Sequence, residues 1–177
     1  MGLPLKTHEI INTLLLMAVK LPKTNVARLL DANKVTYQLI PYHVEESDLG
    51  VAHVAEQLGE PIEQVFKTIV LRGDKLGVLV AVIPGNAEVD LKKLAKESGN
   101  KSCTPLQQKE LLPTTGYIRG GCSPLGMKKL YPTYFHSTCL DFPYIYVSAG
   151  VRGMQIQVNA EHLLALTKAH VADLVSE

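Results

Sequence analysis

Val65-Phe66-Lys67-Thr68-Ile69-Val70-Leu71-Arg72-Gly73-Asp74-Lys75-Leu76-Gly77-Val78-Leu79-Val80-Ala81-Val82-Ile83 holds two apolar runs, Val65 to Leu71 and Leu76 to Ile83, around Arg72-Gly73-Asp74-Lys75. Such runs, separated by a short polar segment with glycine, predict a β-hairpin. Helix and strand signals alternate on both sides of it. Upstream, Val26, Ala27, Leu29 and Leu30 predict a short amphipathic helix after Thr24, and Thr36 to Tyr42 predicts a strand. Asp48 is expected to cap a second helix carrying Val51, Val54, Ala55 and Leu58, with Gly59 and Pro61 ending it. Downstream, Asp90 caps Leu91 to Lys96 and Gly99 stops that helix. Strands are expected near Thr133 to Ser137, Tyr144 to Ser148 and Met154 to Val158. Asn159 then caps a final helix with Leu163, Leu164, Leu166, Val171 and Leu174 on its apolar side. The pattern is that of one mixed α/β domain.

Composition agrees with that class. A chain of 177 residues, 46% apolar and 20% charged, is long enough to bury most of the surface it would expose when unfolded. A formal net charge of +1 is too small to predict strong sequence-independent nucleic-acid binding, which needs many Lys and Arg against phosphates, so any RNA contact is expected to be local or assisted. Cys103, Cys122 and Cys139 form no C-x-x-C pair, and the 6 histidines stand far apart. Neither a disulfide framework nor a metal site is expected, no cofactor is called for, and a reducing cytoplasm is the expected home.

Residues 1–22 read as an N-terminal extension ahead of a domain spanning 23–177. The run Ile10 to Val19 after Lys6 is far too short to cross a bilayer and lacks a small-x-small cleavage site, so it is expected to be an added helix with no membrane role.

Two features in the domain bear on chemistry. Lys67 shares a strand face with Val65, Ile69 and Leu71 by period-2 alternation. An ammonium there either snorkels to water from a strand end or meets an anion in a pocket, and spacing alone leaves both open. The second feature is Thr115-Gly116-Tyr117-Ile118-Arg119-Gly120-Gly121-Cys122-Ser123-Pro124-Leu125-Gly126-Met127-Lys128-Lys129, with four glycines and three basic residues in one loop. Residues without a Cβ let backbone approach a ligand and present N–H groups to an oxygen. Lysine does not directly follow Gly126, so the segment is not a P-loop, and neither a G-x-G-x-x-G nor a G-x-S-x-G motif occurs in the chain. Cys122 is expected to be a structural thiol and His43 a surface or hydrogen-bonded histidine. Val147-Ser148-Ala149-Gly150-Val151-Arg152-Gly153-Met154-Gln155 reads as a hairpin turn or a second ligand-facing turn.

Taken in order, Lys23-Thr24-Asn25, Val65-Phe66-Lys67-Thr68, Asp90 to Ala95, Thr115-Gly116-Tyr117 with Gly120 to Gly126, and Val147 to Gly150 with Arg152-Gly153 resemble the YbaK/EbsC family of aminoacyl-tRNA deacylases. The likeness runs from about Lys23 to the C-terminus. It implies a mixed, barrel-like sheet wrapped by helices, related to the editing insertion of prolyl-tRNA synthetases. It also implies hydrolysis in trans of mischarged tRNA, chiefly cysteinyl-tRNA(Pro), with the substrate's own thiol attacking its ester. In that setting Lys67, Gly120 and Gly121 are the implied catalytic residues, and Tyr42, Ser148, Ala149, Gly150 and Gln155 the implied substrate-binding ones. The implied partners are the aminoacylated 3′ end of tRNA and prolyl-tRNA synthetase. One position departs from the pattern: Gln155 stands where the best-known deacylase has an acidic residue, and a carboxamide accepts a hydrogen bond but cannot act as a base. Removal of alanine or another small residue from tRNA, and a non-catalytic module that binds tRNA ends or nucleotides, remain alternatives.

Overall fold

The computed structural model describes residues 21–177, so the helix expected within residues 1–22 lies outside the described residues except for its last two positions. The chain runs through α1 (Asn25–Ala32), β1 (Tyr37–Pro41), α2 (Val51–Leu58), β2 (Phe66–Gly73), β3 (Gly77–Pro84), α3 (Leu91–Ser98) and β4 (Cys103–Pro105). It continues through α4 (Gln108–Thr115), β5 (Thr133–His136), β6 (Ile145–Ser148), β7 (Met154–Val158), α5 (Ala160–Thr167) and β8 (His170–Ala172). The mixed α and β class expected from sequence is the observed one.

The strands form a three-stranded antiparallel sheet, β1-β7-β6, and a five-stranded mixed sheet, β4-β2-β3-β5-β8. A single parallel bridge between Val65 and Tyr146 joins them. The barrel-like sheet is therefore two open sheets meeting at one seam. Alternation decides what each face covers. Phe66, Val80, Val82 and Phe135 of the larger sheet pack with Ile145, Val147, Ile156 and Val158 of the smaller, and Val26 and Leu30 of α1 with Leu163 of α5 complete that core. Fully burying one such side chain contributes about 1.5–3 kcal/mol. On the outer side, Leu71, Leu79, Ala81 and Ile83 lie under Leu94 and Ala95 of α3. A separate cluster sets Val65 and Tyr146 under Val54 and Ala55 of α2.

Local signals account for most element ends. Thr24 Oγ1 accepts from the Ala27 N–H at 3.2 Å, Asp90 Oδ1 from the N–H groups of Lys92 and Lys93, and Asn159 Oδ1 from Glu161. Three expectations are corrected. Asp48 does not cap α2: its Oδ1 accepts from the Gly50 N–H at 3.1 Å in a local turn, and Gly50 is the residue at the cap position. The hairpin turn is Asp74 to Leu76, because Arg72 and Gly73 still pair with Val78 and Gly77. The last helix stops at Thr167 with Lys168 in the left-handed region at φ 53°, so Val171 belongs to β8 and Leu174 fills the cluster beneath α3. Both β4 and α4, the latter with Pro113 inside it, were absent from the sequence reading.

Candidate active site

Lys67 sits in the gap between the cluster under α2 and the cluster under α3. It is partly buried, and its Nζ donates to the Gly85 carbonyl at 3.1 Å. Gly85 is held in turn, donating its N–H to the Val65 carbonyl at 2.8 Å. A Cβ there would stand 2.4 Å from Val51 Cγ1 and 2.9 Å from the Val65 oxygen, so the close fit of α2 against β2 requires glycine. Burial lowers the Lys67 pKa below the ordinary lysine value, and the Glu88 carboxylate partly opposes that. An ammonium has three donors and Gly85 takes one, which leaves two for a ligand oxygen.

The other candidates fall in a row with it. Ser148 of β6 pairs with Gln155 of β7, and Gln155 pairs with Ile40 of β1, so these side chains share one face. Tyr42, two residues beyond Ile40, continues that face and donates its N–H to the Gly153 carbonyl at 2.9 Å. From the Val65–Tyr146 bridge, two residues further along each strand lead to Lys67 and Ser148, which therefore project to the same side. Ser148 Oγ accepts from the Gly150 N–H at 3.1 Å and keeps its own proton to donate. Gln155 is 6% exposed, and its Oε1 is buried without a hydrogen-bond partner. Leaving such an atom unpaired costs about 1–3 kcal/mol, so it marks a place where a donor is missing.

Ala149 and Gly150 stand differently. The Ala149 methyl lies in the core between the sheets, and a Cβ on Gly150 (φ 96°) would come within 3.1 Å of both Val26 and Tyr117. Whatever these two offer a ligand comes from backbone alone.

The glycine loop is pinned at both ends and docks on the turn after β6. Its Tyr117 hydroxyl donates to the Leu125 carbonyl, and both side chains are buried in the core between the sheets. A Cβ on Gly121 would lie 3.1 Å from the Arg152 nitrogen and 3.2 Å from the Val151 carbonyl carbon, so two backbones touch here. Gly120 has φ 84°, and its missing Cβ faces Arg152 Nε and Leu49. The two N–H groups differ in availability. Gly121 donates to the Ile118 carbonyl at 2.9 Å, whereas Gly120 has no protein acceptor among the described residues, so Gly120 is the one free to meet a developing negative charge. The preceding residue, Arg119, lines a cavity of about 290 Å³ together with Thr68, Ile69 and Val70, which sets its side chain against the stretch of β2 that follows Lys67.

The site holds no activated protein nucleophile. Cys122 packs against the core, and burial pushes its thiol up to about 12. His43 is exposed and is tied by its backbone to the Gln57 carboxamide at 2.7 Å. Among the described residues, no group of three or more His, Cys, Asp or Glu stands together as a metal site would require. No described helix is long and apolar enough to cross a membrane. Sequence reasoning assigned no role to Arg119, Arg152 or Thr68. The signals for Arg152 were its place between Gly150 and Gly153 and its part in the family likeness, and nothing in the sequence joins it to Arg119.

Residues 46–166 match the family model of the aminoacyl-tRNA editing domain, a stretch that contains Lys67, Gly120, Gly121, Ser148 and Gln155. The chain belongs to the aminoacyl-tRNA editing domain family. Its relatives include EbsC of Enterococcus faecalis, a proposed Cys-tRNA(Pro)/Cys-tRNA(Cys) deacylase, 49% identical over 88% of this chain and 94% of that protein. A proline–tRNA ligase of Thermosipho africanus is 32% identical over 45% of this chain and 14% of the ligase. Among solved structures, a proposed trans-editing enzyme for prolyl tRNA synthetase superposes with a TM-score of 0.71 at 26% identity, covering 80% of this chain and 87% of that one. The editing-domain fold thus places the Lys67 row and the glycine loop within a member of a family named for removing amino acids from tRNA.

Proposed function

We propose that residues 23–177 form a trans-editing deacylase that cleaves cysteine from tRNA(Pro), in the cytoplasm and alongside prolyl-tRNA synthetase. The observation that carries the reading is the unpartnered Gln155 Oε1, which shares one face with Lys67 and Ser148 at a site without a protein nucleophile. A site that lacks a nucleophile suits a substrate that brings its own. The cysteine sulfur attacks its ester carbonyl, so a C–S bond forms and the C–O bond to the ribose breaks. The thiol proton passes to the departing ribose oxygen, and water then opens the thiolactone.

Each residue has a part in holding that geometry. Lys67 and the Gly120 N–H stabilise the negative charge on the carbonyl and leaving oxygens. Gln155 accepts a hydrogen bond from the α-ammonium, and the Ser148 hydroxyl and Tyr42 position the ribose and amino acid. A neutral Gln155 cannot pull the thiol proton, so transfer to the ribose oxygen is direct or by way of water. The 49% identical relative named for both Cys-tRNA(Pro) and Cys-tRNA(Cys) supports cysteine as the amino acid, and the +1 net charge supports help from the synthetase in choosing the tRNA.

The test is side-by-side hydrolysis of cysteinyl-tRNA(Pro) and alanyl-tRNA(Pro) by the intact chain. Cleavage of the cysteinyl ester alone is expected. Equal cleavage of both overturns the thiol-assisted step and favours a deacylase for small residues, and cleavage of neither leaves a binding module.

A further inference from the structure

The glycine loop and the turn after β6 each carry a guanidinium group that the deacylase chemistry leaves unused. Arg152 donates Nε to the Arg119 carbonyl at 2.8 Å, which clasps the glycine loop to the turn after β6. Gly120 and Gly121 both pack against Arg152, so its stem is fixed in place. The Arg119 side chain is exposed and borders the cavity that also contains Thr68 of β2. Among the described residues neither arginine is within ion-pair distance of a carboxylate, whereas Lys23, Arg72 and Lys93 each have one. Thr68, one of the residues lining that cavity, has its Oγ1 buried without a hydrogen-bond partner. A held Arg152, an exposed Arg119 joined to it through its backbone, and an unpartnered hydroxyl on the cavity that Arg119 lines describe a site for a ligand bearing phosphate.

We infer that Arg119 and Arg152 form a phosphate clamp for the internucleotide phosphates next to the terminal adenosine of an RNA 3′ end, with Thr68 Oγ1 bonding that nucleotide. Planar guanidinium forks match phosphate oxygens in bidentate fashion. The inference rests on the deacylase reading. It adds a grip on the nucleic acid to a site otherwise built for the amino acid. It also gives a chain with a net charge of +1 a local means of holding RNA. Arg119 and Arg152 are positioning residues; they touch phosphate, not the reacting ester.

The test compares the cysteinyl ester of the trinucleotide CpCpA with the cysteinyl ester of adenosine, which has no phosphate, over a series of KCl concentrations. Arg119→Gln is the cleaner variant, because Arg152 binds the carbonyl of residue 119 and the substitution leaves that contact in place. Arg152→Gln removes both clasp and charge. For each variant kcat/KM on the trinucleotide ester is expected to fall at least tenfold further than on the adenosine ester, mainly through KM. The slope of log(kcat/KM) against log[KCl] should become shallower by about 0.7 for each arginine removed. Equal losses on the two esters overturn the clamp and reduce Arg152 to a structural clasp. If wild type cleaves neither ester, the deacylase reading falls, and binding of an unacylated hairpin ending in CCA decides the arginines. An unchanged salt slope in Arg119→Gln then overturns the clamp, and a shallower one supports it.

Discussion

Two polar groups of this molecule are buried to nearly the same degree and end up in opposite states. Asn100 is 8% exposed, and both ends of its carboxamide are used. Its Oδ1 accepts from the N–H groups of Lys75 and Leu76 at 3.1 and 3.0 Å, and its Nδ2 donates to Ser98 Oγ at 2.9 Å. Gly73 makes room for it, since a Cβ there would stand 2.3 Å from the side chain. Gln155 is 6% exposed, and its Oε1 has nothing. A carboxamide that satisfies its own fold closes a hairpin; one left open beside a desolvated lysine waits for a substrate. The difference separates residues that hold the structure from residues that use it.

The largest effect should come from breaking the open site at Lys67. Lys67→Met is expected to lower kcat/KM on cysteinyl-tRNA(Pro) by roughly 10²–10³, the usual loss when one donor to a developing oxyanion is removed. Its melting temperature should stay level or rise. Because burial lowers the Lys67 pKa, the charged form penalises the fold at pH values below the folded pKa. That penalty is relieved as pH climbs toward the ordinary lysine value, so the gain of the Met variant should shrink at alkaline pH. A variant that loses activity together with stability would mark Lys67 as another closed group.

Gly121→Ala sharpens the comparison at a backbone contact. The new Cβ would sit 3.1 Å from the Arg152 nitrogen, and only movement of one loop against the other relieves it. A loss of about 10–100-fold in kcat is expected, with the fold kept, because catalytic geometry tolerates displacements well below 1 Å. Comparing single-turnover rates with circular dichroism at the same temperature separates a displaced loop from an unfolded chain.

Asn100→Ala is the mirror experiment. Two N–H groups and Ser98 lose their partner, so stability should drop by about 2–3 kcal/mol, or roughly 4–12 °C in Tm. Deacylation at 25 °C should be unchanged. If activity fell in step with Tm, the hairpin corner and the site would be coupled and the separation drawn above would fail.

How far each state was legible in sequence follows from the range of the forces involved. Caps at Thr24, Asp90 and Asn159 act across two or three residues, and the sequence reading located the latter two and the helix start after Thr24. Asp48 failed as a cap because the same side chain also serves a local turn, which leaves Gly50 at the cap position of α2. Pro113 hid α4, since a proline inside eight residues reads as a breaker. Within the site, Lys67 was visible as a charge in an apolar alternation. The Lys67–Ser148–Gln155 row was not, because it depends on a bridge between residues 65 and 146 that no local pattern encodes. The family likeness named its members without saying that Ala149 points into the core or that Gly121 spends its N–H on Ile118.

His136 offers the finest test, because acid can move it from the closed class to the open one. It is 6% exposed, and its Nδ1 accepts the Leu174 N–H at 3.2 Å, so at neutral pH it is satisfied. Burial lowers its pKa below the ordinary value of 6.5, with Asp173 and Asp141 raising it and Lys93 lowering it further. A histidine whose folded pKa is depressed contributes stability that is complete above the unfolded value and is lost as pH falls through it. Protonation fills Nδ1 and leaves the Leu174 N–H without an acceptor, while the Asp173 carboxylate, 3.8 Å away, offsets part of the cost. Between pH 7.5 and 5 this should remove no more than about 1 kcal/mol. His136→Asn keeps an acceptor near Nδ1 but cannot titrate, so its Tm should fall less over that range than that of the wild type. Parallel curves would show that the imidazole binds its proton equally in the folded and the unfolded chain, so that burial at this corner does not set its titration.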